Sequence, residues 1–432
     1  MRLKPTRLSR SLRIRGAIAV GIGAVGLTGV LIAQTTPAIA DPTVTLVAVG
    51  SDTIQDVYNQ FALDAGGNLL GSYNATNPVT GAAHEVITPV DGTAGVNCSF
   101  ARPNGSGEGV ANLRLALNPA TANGGAAVAP VAEQGCVDIA RSSSGPGSLQ
   151  SNTGTIVYVP FALDAVAGAT GPTTCTPSTL CPSFTANIVD ATTGDVTTQT
   201  VTPSATAITT ANDFTMADLV TLYSSCGTVT EGGVTYWPLG SSVTKPAGAV
   251  TIDLYIPQPG SGTRSFWATT LDFNATTPPA CDFDVIQGGP LAGKNALVEE
   301  HDGTAVATDP NGFGPFSIAQ WISQRNGHDD RRHDAVLANL TPTGSTTPVS
   351  PFSNGNPATG SLNTNFPITR DVYSVVSFAR VTNPSDPLYG LLNNANPAGA
   401  FLCSDASQIL NYGFALVPSI CGEVVAANRA QG

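Results

Sequence analysis

The sequence predicts an α/β fold with a largely parallel sheet, and three observations predict it. Short apolar runs alternate with segments of helical period, the pattern of strands joined by crossover helices. A strand, a short Gly/Ser/Thr loop and a helix start recur in that order at three places. With an N-terminal leader set aside, 392 residues remain, a length that suits two lobes of ordinary size.

The leader is residues 1–40. Arg2, Lys4, Arg7, Arg10, Arg13 and Arg15 form a basic stretch, residues 17–33 are an apolar run of 17 residues, and Ala38-Ile39-Ala40 offers small residues for cleavage. That order reads as a secretory signal peptide. An uncleaved anchor is the alternative, at the short edge of a bilayer span. Cys98 is the first cysteine, so no N-terminal cysteine can carry a lipid. The expectation is a secreted, extracytoplasmic protein of the cell wall or periplasm, with no membrane span after cleavage. Removing the leader's six basic residues from 18 leaves 12 against 30 acidic ones. A net charge of −18 argues against nucleic acid and anionic membranes as partners. Any anion site must then be local.

The elements follow in order. Residues 43–49 read as a strand, and 52–64 place Ile54, Val57, Tyr58 and Phe61 on one helical face. Residues 137–140 and 155–160 read as short strands. A helix over 214–223 is opened by a Thr215-x-x-Asp218 capping box. Residues 250–256 read as a strand, 263–271 and 315–324 as helices, and 371–381 as a late strand. The Thr- and Pro-rich stretches 171–212 and 341–365 read as loops or insertions. Cys98, Cys136, Cys175, Cys181, Cys226, Cys281, Cys403 and Cys421 are an even set, which in an exported chain reads as disulfides. Neighbour pairing is the expectation, with 175–181 and 403–421 closing short loops.

The recurring loops carry the chemistry. They are Ser51-Asp52-Thr53 after the first strand, Asn104–Gly109 with Ser106 leading into a helix, and Gly260-Ser261-Gly262-Thr263-Arg264. A fourth segment, Arg141-Ser142-Ser143, ends a strand with hydroxyls. Helix N-termini present unpaired N–H groups and partial positive charge. Glycine lets backbone approach a ligand, hydroxyls add neutral donors, and arginine adds a charged fork. Each loop alone also reads as an ordinary cap or turn; the repetition points to a small oxyanion. No cofactor or metal is expected. The charged runs 299–302 and 328–334 read as solvated loops rather than metal sites.

The ordered motifs GSDTIQDVY, NGSGEGVANL, VDIARSSSG, TMADLVTLYSSCG, PGSGTRSFW, GFGPFSIAQWIS and FPITRDVYSVV resemble those of the PstS-like phosphate-binding proteins of ABC transporters. The resemblance implies a two-lobed periplasmic-binding-protein-like α/β fold with a hinge and an interlobe cleft. Residues 41–162 and 366–432 would form lobe 1, and 163–365 lobe 2. It also implies a monomer, phosphate as the ligand and transporter membrane subunits as partners. Carried over, Thr53, Ser106, Ser261, Gly262 and Thr263 would be the donors; with the loop reading above, the candidate ligand set is Ser51, Asp52, Thr53, Ser106, Arg141, Ser142, Ser143, Gly260, Ser261, Gly262, Thr263 and Arg264.

Three positions depart from the pattern. The family's cleft aspartate aligns with Ser143, its arginine with Pro257 and its loop aspartate with Pro259. Arg141 or Arg264 would then have to supply the missing charge. Without an acceptor-only carboxylate, a site has no means of rejecting a fully ionised oxyanion, so sulfate-like or larger phosphorylated ligands stay open. Two other classes stay open as well: a secreted surface protein with a different ligand or none, and a hydrolase. A hydrolase would have to draw its histidine from His84, His301, His328 and His333, and no Gly-x-Ser-x-Gly elbow exists.

Overall fold

Strand Ile156–Thr170 runs for 15 residues through the middle of the protein, and only Leu163 along it is not fully buried. The computed structural model describes residues 43–432 except 67, 92–95, 118–132, 174, 176–180, 207 and 209–212. The leader expected over 1–40 lies outside the described residues.

In chain order the site-bearing elements are β1 (Leu46–Gly50), α1 (Gln55–Asp64), β2 (Leu70–Ser72), α2 (Ser106–Leu117), β3 (Ile139–Ser142) and β4 (Ile156–Thr170). Then come α3 (Met216–Ser225), β5 (Val229–Glu231), β6 (Val234–Pro238), β7 (Val250–Tyr255) and α4 (Gly262–Thr270). The last are β8 (Gly312–Ser317), α5 (Ile318–Arg325) and β9 (Thr369–Ser377).

One mixed sheet holds 12 strands, with a main path β5-β6-β7-β8-β4-β9-β3-β1-β2. The α/β class is as expected, but the sheet is less parallel than expected. Pairs β1–β2, β1–β3, β6–β7 and β7–β8 are parallel, whereas β4 pairs antiparallel with both β8 and β9. The reason is β4 itself. Within its first ten residues all but Phe161 pair with β9, and Val166–Ala169 pair with β8, so one long strand joins two parallel groups.

Strand alternation sorts the core. Leu46 and Ala48 of β1 pack with Val57, Tyr58 and Phe61 of α1, while Val47 and Val49 pack with Val110 and Leu113 of α2. A strand apolar at every position is what a sheet covered on both faces requires.

Several boundaries differ from expectation. The strand read over 155–160 continues to Thr170: Pro160 pairs with Tyr373 and Ala162 with Val372, so the bulge at Phe161 sits beside the proline, which has no N–H to donate. Pro315–Ser317 belong to β8, not to a helix, since they pair with Val166–Gly168; helix α5 starts after Ser317, whose hydroxyl accepts from Gln320 N–H at 3.1 Å. Strand β9 stops at Ser377, and Phe378–Val381 is a helical turn. Within 171–212, Phe184–Val189 and Val196–Val201 form an antiparallel hairpin rather than loop. The capping box Thr215–Asp218 is present at α3. Four disulfides join Cys98–Cys136, Cys175–Cys181, Cys226–Cys281 and Cys403–Cys421. No described helix is long and apolar enough to cross a membrane.

Candidate functional site

Four loops meet at the carboxyl ends of β1, β3 and β7 and the start of α2, where ligands gather in open α/β sheets. Ser51 N–H donates to Arg141 carbonyl at 3.0 Å, tying the β1 loop to β3. Ser143 N–H donates to Ser106 Oγ at 3.0 Å, and the Ser106 and Ser143 hydroxyls lie 3.2 Å apart. Gly107 N–H donates to Gly260 carbonyl at 3.1 Å, and Asn104 Nδ2 donates to Gln258 Oε1 at 2.9 Å. The loop before α4 therefore touches the loop before α2 directly. Gly262 makes this contact possible: a Cβ there would sit 2.3 Å from Ser106 Oγ and 2.5 Å from Ser143 Oγ.

A buried carboxylate sits among these donors. Thr53 Oγ1 donates to Glu300 Oε1 at 3.0 Å, and Ser261 Oγ donates to Glu300 Oε2 at 3.1 Å. Ser261 also caps α4 by accepting from Arg264 N–H at 3.1 Å. Helix N-termini favour a negative group on both electrostatic and hydrogen-bond grounds. Beside this carboxylate, Asp52 Oδ2 faces His301 Nδ1 at 3.3 Å. Ser51 Oγ and Thr263 Oγ1 are buried and have no hydrogen-bond partner.

The charges around Glu300 shape one another. Burial and the neighbouring Asp52 carboxylate push Glu300 up to about 7, against the pull of His301 and Arg370. Burial, then Asp52 and Glu300, push Glu299 well above the usual range. Burial alone would raise Asp52, but His301 and the hydrogen bonds it receives hold it below the ordinary carboxylate value. Burial and Arg331 push His301 down, yet Asp52 and Glu300 outweigh them and leave it raised.

Both arginines expected to supply positive charge are committed elsewhere. Arg141, wholly buried, donates to the carbonyls of Ser51, Gly50 and Tyr73 and to Ser72 Oγ. Arg264 donates to the carbonyls of Ala275 and Pro257 and to Asp284 Oδ2. A guanidinium so engaged organises loops rather than facing a ligand. Ser142 Oγ likewise turns to Ser144 carbonyl at 2.7 Å. Gly260, at φ 91°, shapes the turn and offers its carbonyl to Gly107.

Two buried charged residues at or near these loops, Glu300 and Arg370, whose charge acts on Glu300, were not singled out by sequence reasoning. Arg370, on β9, is 5% exposed; its Nε and Nη2 bind Asp164 Oδ2, and its Nη1 has no hydrogen-bond partner. Glu300 lies in the run 299–302, expected to be solvated; instead Glu300 is 0% and His301 7% exposed. The available signal was Ala296-Leu297-Val298, an apolar lead-in whose Val298 carbonyl accepts from Gln258 N–H at 3.0 Å. In the run 328–334, Asp329, Asp330 and Asp334 are exposed.

No family model matches the chain, and no curated protein matches it. Solved structures similar to it include a possible phosphate binding protein from Planctomyces limnophilus, at 11% identity over 88% of this chain and 95% of that one, TM-score 0.36. The phosphate binding protein from Stenotrophomonas maltophilia is similar at 14% identity over 88% and 92%, TM-score 0.36. PstS from Borrelia burgdorferi is similar at 12% identity over 87% and 99%, TM-score 0.33. With TM-scores below 0.5, the functional reading rests on the site's own residues.

Proposed function

We propose that the chain is an extracytoplasmic solute-binding protein that captures a small oxyanion, phosphate first among candidates, where these loops meet. The observation that carries this reading is Glu300: one carboxylate takes a hydroxyl from the β1 loop and another from the α4 cap. A site that already holds a carboxylate between two helix N-termini has the donors an oxyanion needs. Ser51 and Thr263 add hydroxyls without partners, and Ser106 and Ser143 lie against Gly262. Arg370, with Nη1 unengaged, takes the role expected of Arg141 and Arg264.

In its ionised form Glu300 also supplies what Ser143 lacks, an acceptor-only group. Phosphate keeps a proton at neutral pH and can donate it to a carboxylate, whereas sulfate cannot. In this reading residues 41–162 with 366–432 are one lobe and 163–365 the other, with β4 and β9 crossing between them. The direct contacts at Gly107–Gly260 and Asn104–Gln258 are those of a closed form, and the lobes part to admit ligand. The leader delivers the chain outside the cytoplasm, where its four disulfides form, and it hands ligand to ABC-type membrane subunits. No catalysis is proposed: among the described residues no serine hydroxyl bonds a histidine ring.

The test is a titration of the oxidised protein with phosphate, sulfate and a phosphate monoester, followed by calorimetry and tryptophan fluorescence. Saturable phosphate binding that falls at least tenfold in Thr53→Ala/Ser261→Ala supports the reading. A folded protein that binds none of the three overturns it.

A further inference from the structure

We propose that Asp52, Glu299, Glu300 and His301 form a binding site for one first-row divalent transition-metal ion. One ligand atom from each of the four lies within 4.8 Å of the others. Asp52 and His301 are 2% and 7% exposed, and Glu300 is fully buried. Asp52 Oδ2 and His301 Nδ1 face each other at 3.3 Å as an ion pair, and neither atom has a further hydrogen-bond partner. Each of these buried atoms has only the other as its partner, so the pair is incompletely satisfied and a cation beside it would complete it.

The three carboxylates are held from behind. Asp52 Oδ1 accepts from Thr53 N–H at 2.8 Å, Glu299 Oε2 from Gln258 Nε2 at 3.1 Å, and Glu300 from Thr53 and Ser261 hydroxyls. Outer hydrogen bonds of this kind aim ligating carboxylates and leave lone pairs for the ion. Three carboxylates without a cation put up to three negative charges in a buried space, which burial strongly disfavours; a divalent ion compensates most of that charge.

Access is present too. A cavity of about 340 Å³ reaches Glu299 and His301, and Asp302, Asp329, Asp330 and His333 line it. Arg331 on the same wall lies 3.5 Å from Asp56 and 3.6 Å from Asp329, so its charge is partly answered. An acidic approach concentrates cations. The donor set selects the class: one imidazole with carboxylates suits Zn²⁺, Mn²⁺ or Fe²⁺, while the absence of thiolate from the set disfavours Cu⁺.

The inference goes beyond the oxyanion reading but shares Asp52 and Glu300 with it, so the two are tested apart. Tag-free, oxidised protein is stripped with chelator and titrated with Zn²⁺ in buffer free of phosphate and sulfate, with Mn²⁺ in a parallel titration. One equivalent retained through dialysis, a raised Tm, and at least tenfold weaker binding in both His301→Gln and Glu299→Gln are expected. Glu299 is half-buried, so Glu299→Gln keeps the test valid if His301→Gln does not fold. No retained metal, or retention unchanged in a folded Glu299→Gln variant, overturns the site. Phosphate titrated in excess chelator reads the oxyanion function independently of either result.

Discussion

Ser261 Oγ donates to Glu300 Oε2 at 3.1 Å while accepting from Arg264 N–H at 3.1 Å, so one hydroxyl both caps α4 and grips a buried acid. The acid is the feature that distinguishes phosphate from sulfate in the proposed site. In Glu300→Gln the acceptor-only group becomes one that can also donate. Sulfate affinity is expected to rise about tenfold relative to phosphate, roughly the 1.4 kcal/mol of one changed hydrogen bond. Competitive calorimetry of the two anions checks this; an unchanged ratio places the discrimination elsewhere.

Asp164 and Arg370 form a buried pair where β4, β9 and α5 meet. Arg370 Nη2 lies 2.8 Å from Asp164 Oδ2, and Asp164 also accepts from Ser317 Oγ and Ala319 N–H. Removing one partner leaves an uncompensated buried charge. Asp164→Ala is expected to cost about 3–5 kcal/mol, read as a drop in denaturant midpoint. It should also disturb oxyanion binding, because Arg370 loses its anchor.

Asp282 carries a testable pH dependence. It is 7% exposed, and burial pushes it up to about 8 even though Arg264 pulls it down. A carboxyl whose folded value lies above its unfolded value holds its proton more tightly when folded. Its contribution is therefore fully present below about pH 4 and is lost as pH rises towards 8. Asp282→Asn should be more stable than the parent at pH 8 by on the order of a few kcal/mol, and nearly equal at pH 4. Thermal melts at the two pH values give the answer, and parallel curves would count against it.

The disulfides should differ in worth. Cys226–Cys281 spans 55 residues and Cys175–Cys181 spans 6. Loop-closure entropy assigns about 4 kcal/mol to the first and about 2 to the second. Replacing each pair by Ser in separate variants should lower the denaturant midpoint more for the longer loop. The reverse order would show that native-state contacts, not chain entropy, dominate.

Much of the fold is readable along the chain. Apolar period placed α1, the Gly/Ser/Thr loops marked the starts of α2 and α4, and the Thr215–Asp218 spacing marked the start of α3. The misses cluster on β4 and its partners. Pro160 argues against a long strand, and only the bulge opposite Val372 and Tyr373 removes the objection. Pro315-Phe316-Ser317 carries too few residues to separate strand from helix by period, and pairing with β4 decided it.

The sequence by itself determined the class of the fold, most of its elements and the loops that bear Ser51, Thr53, Ser106, Ser143, Ser261 and Thr263. These follow from patterns that act over two to four residues, the range of strand alternation, helical period and capping. Tertiary structure alone decided where the charges go. Arg141 and Arg264 turned to backbone carbonyls, while Arg370 turned to Asp164 and Glu300 to the hydroxyls of Thr53 and Ser261. Glu300 meets Thr53 across 247 residues of chain, and Arg370 meets Asp164 across 206. A buried charge is stable only beside a partner that satisfies it, and at such separations only the folded chain brings that partner near.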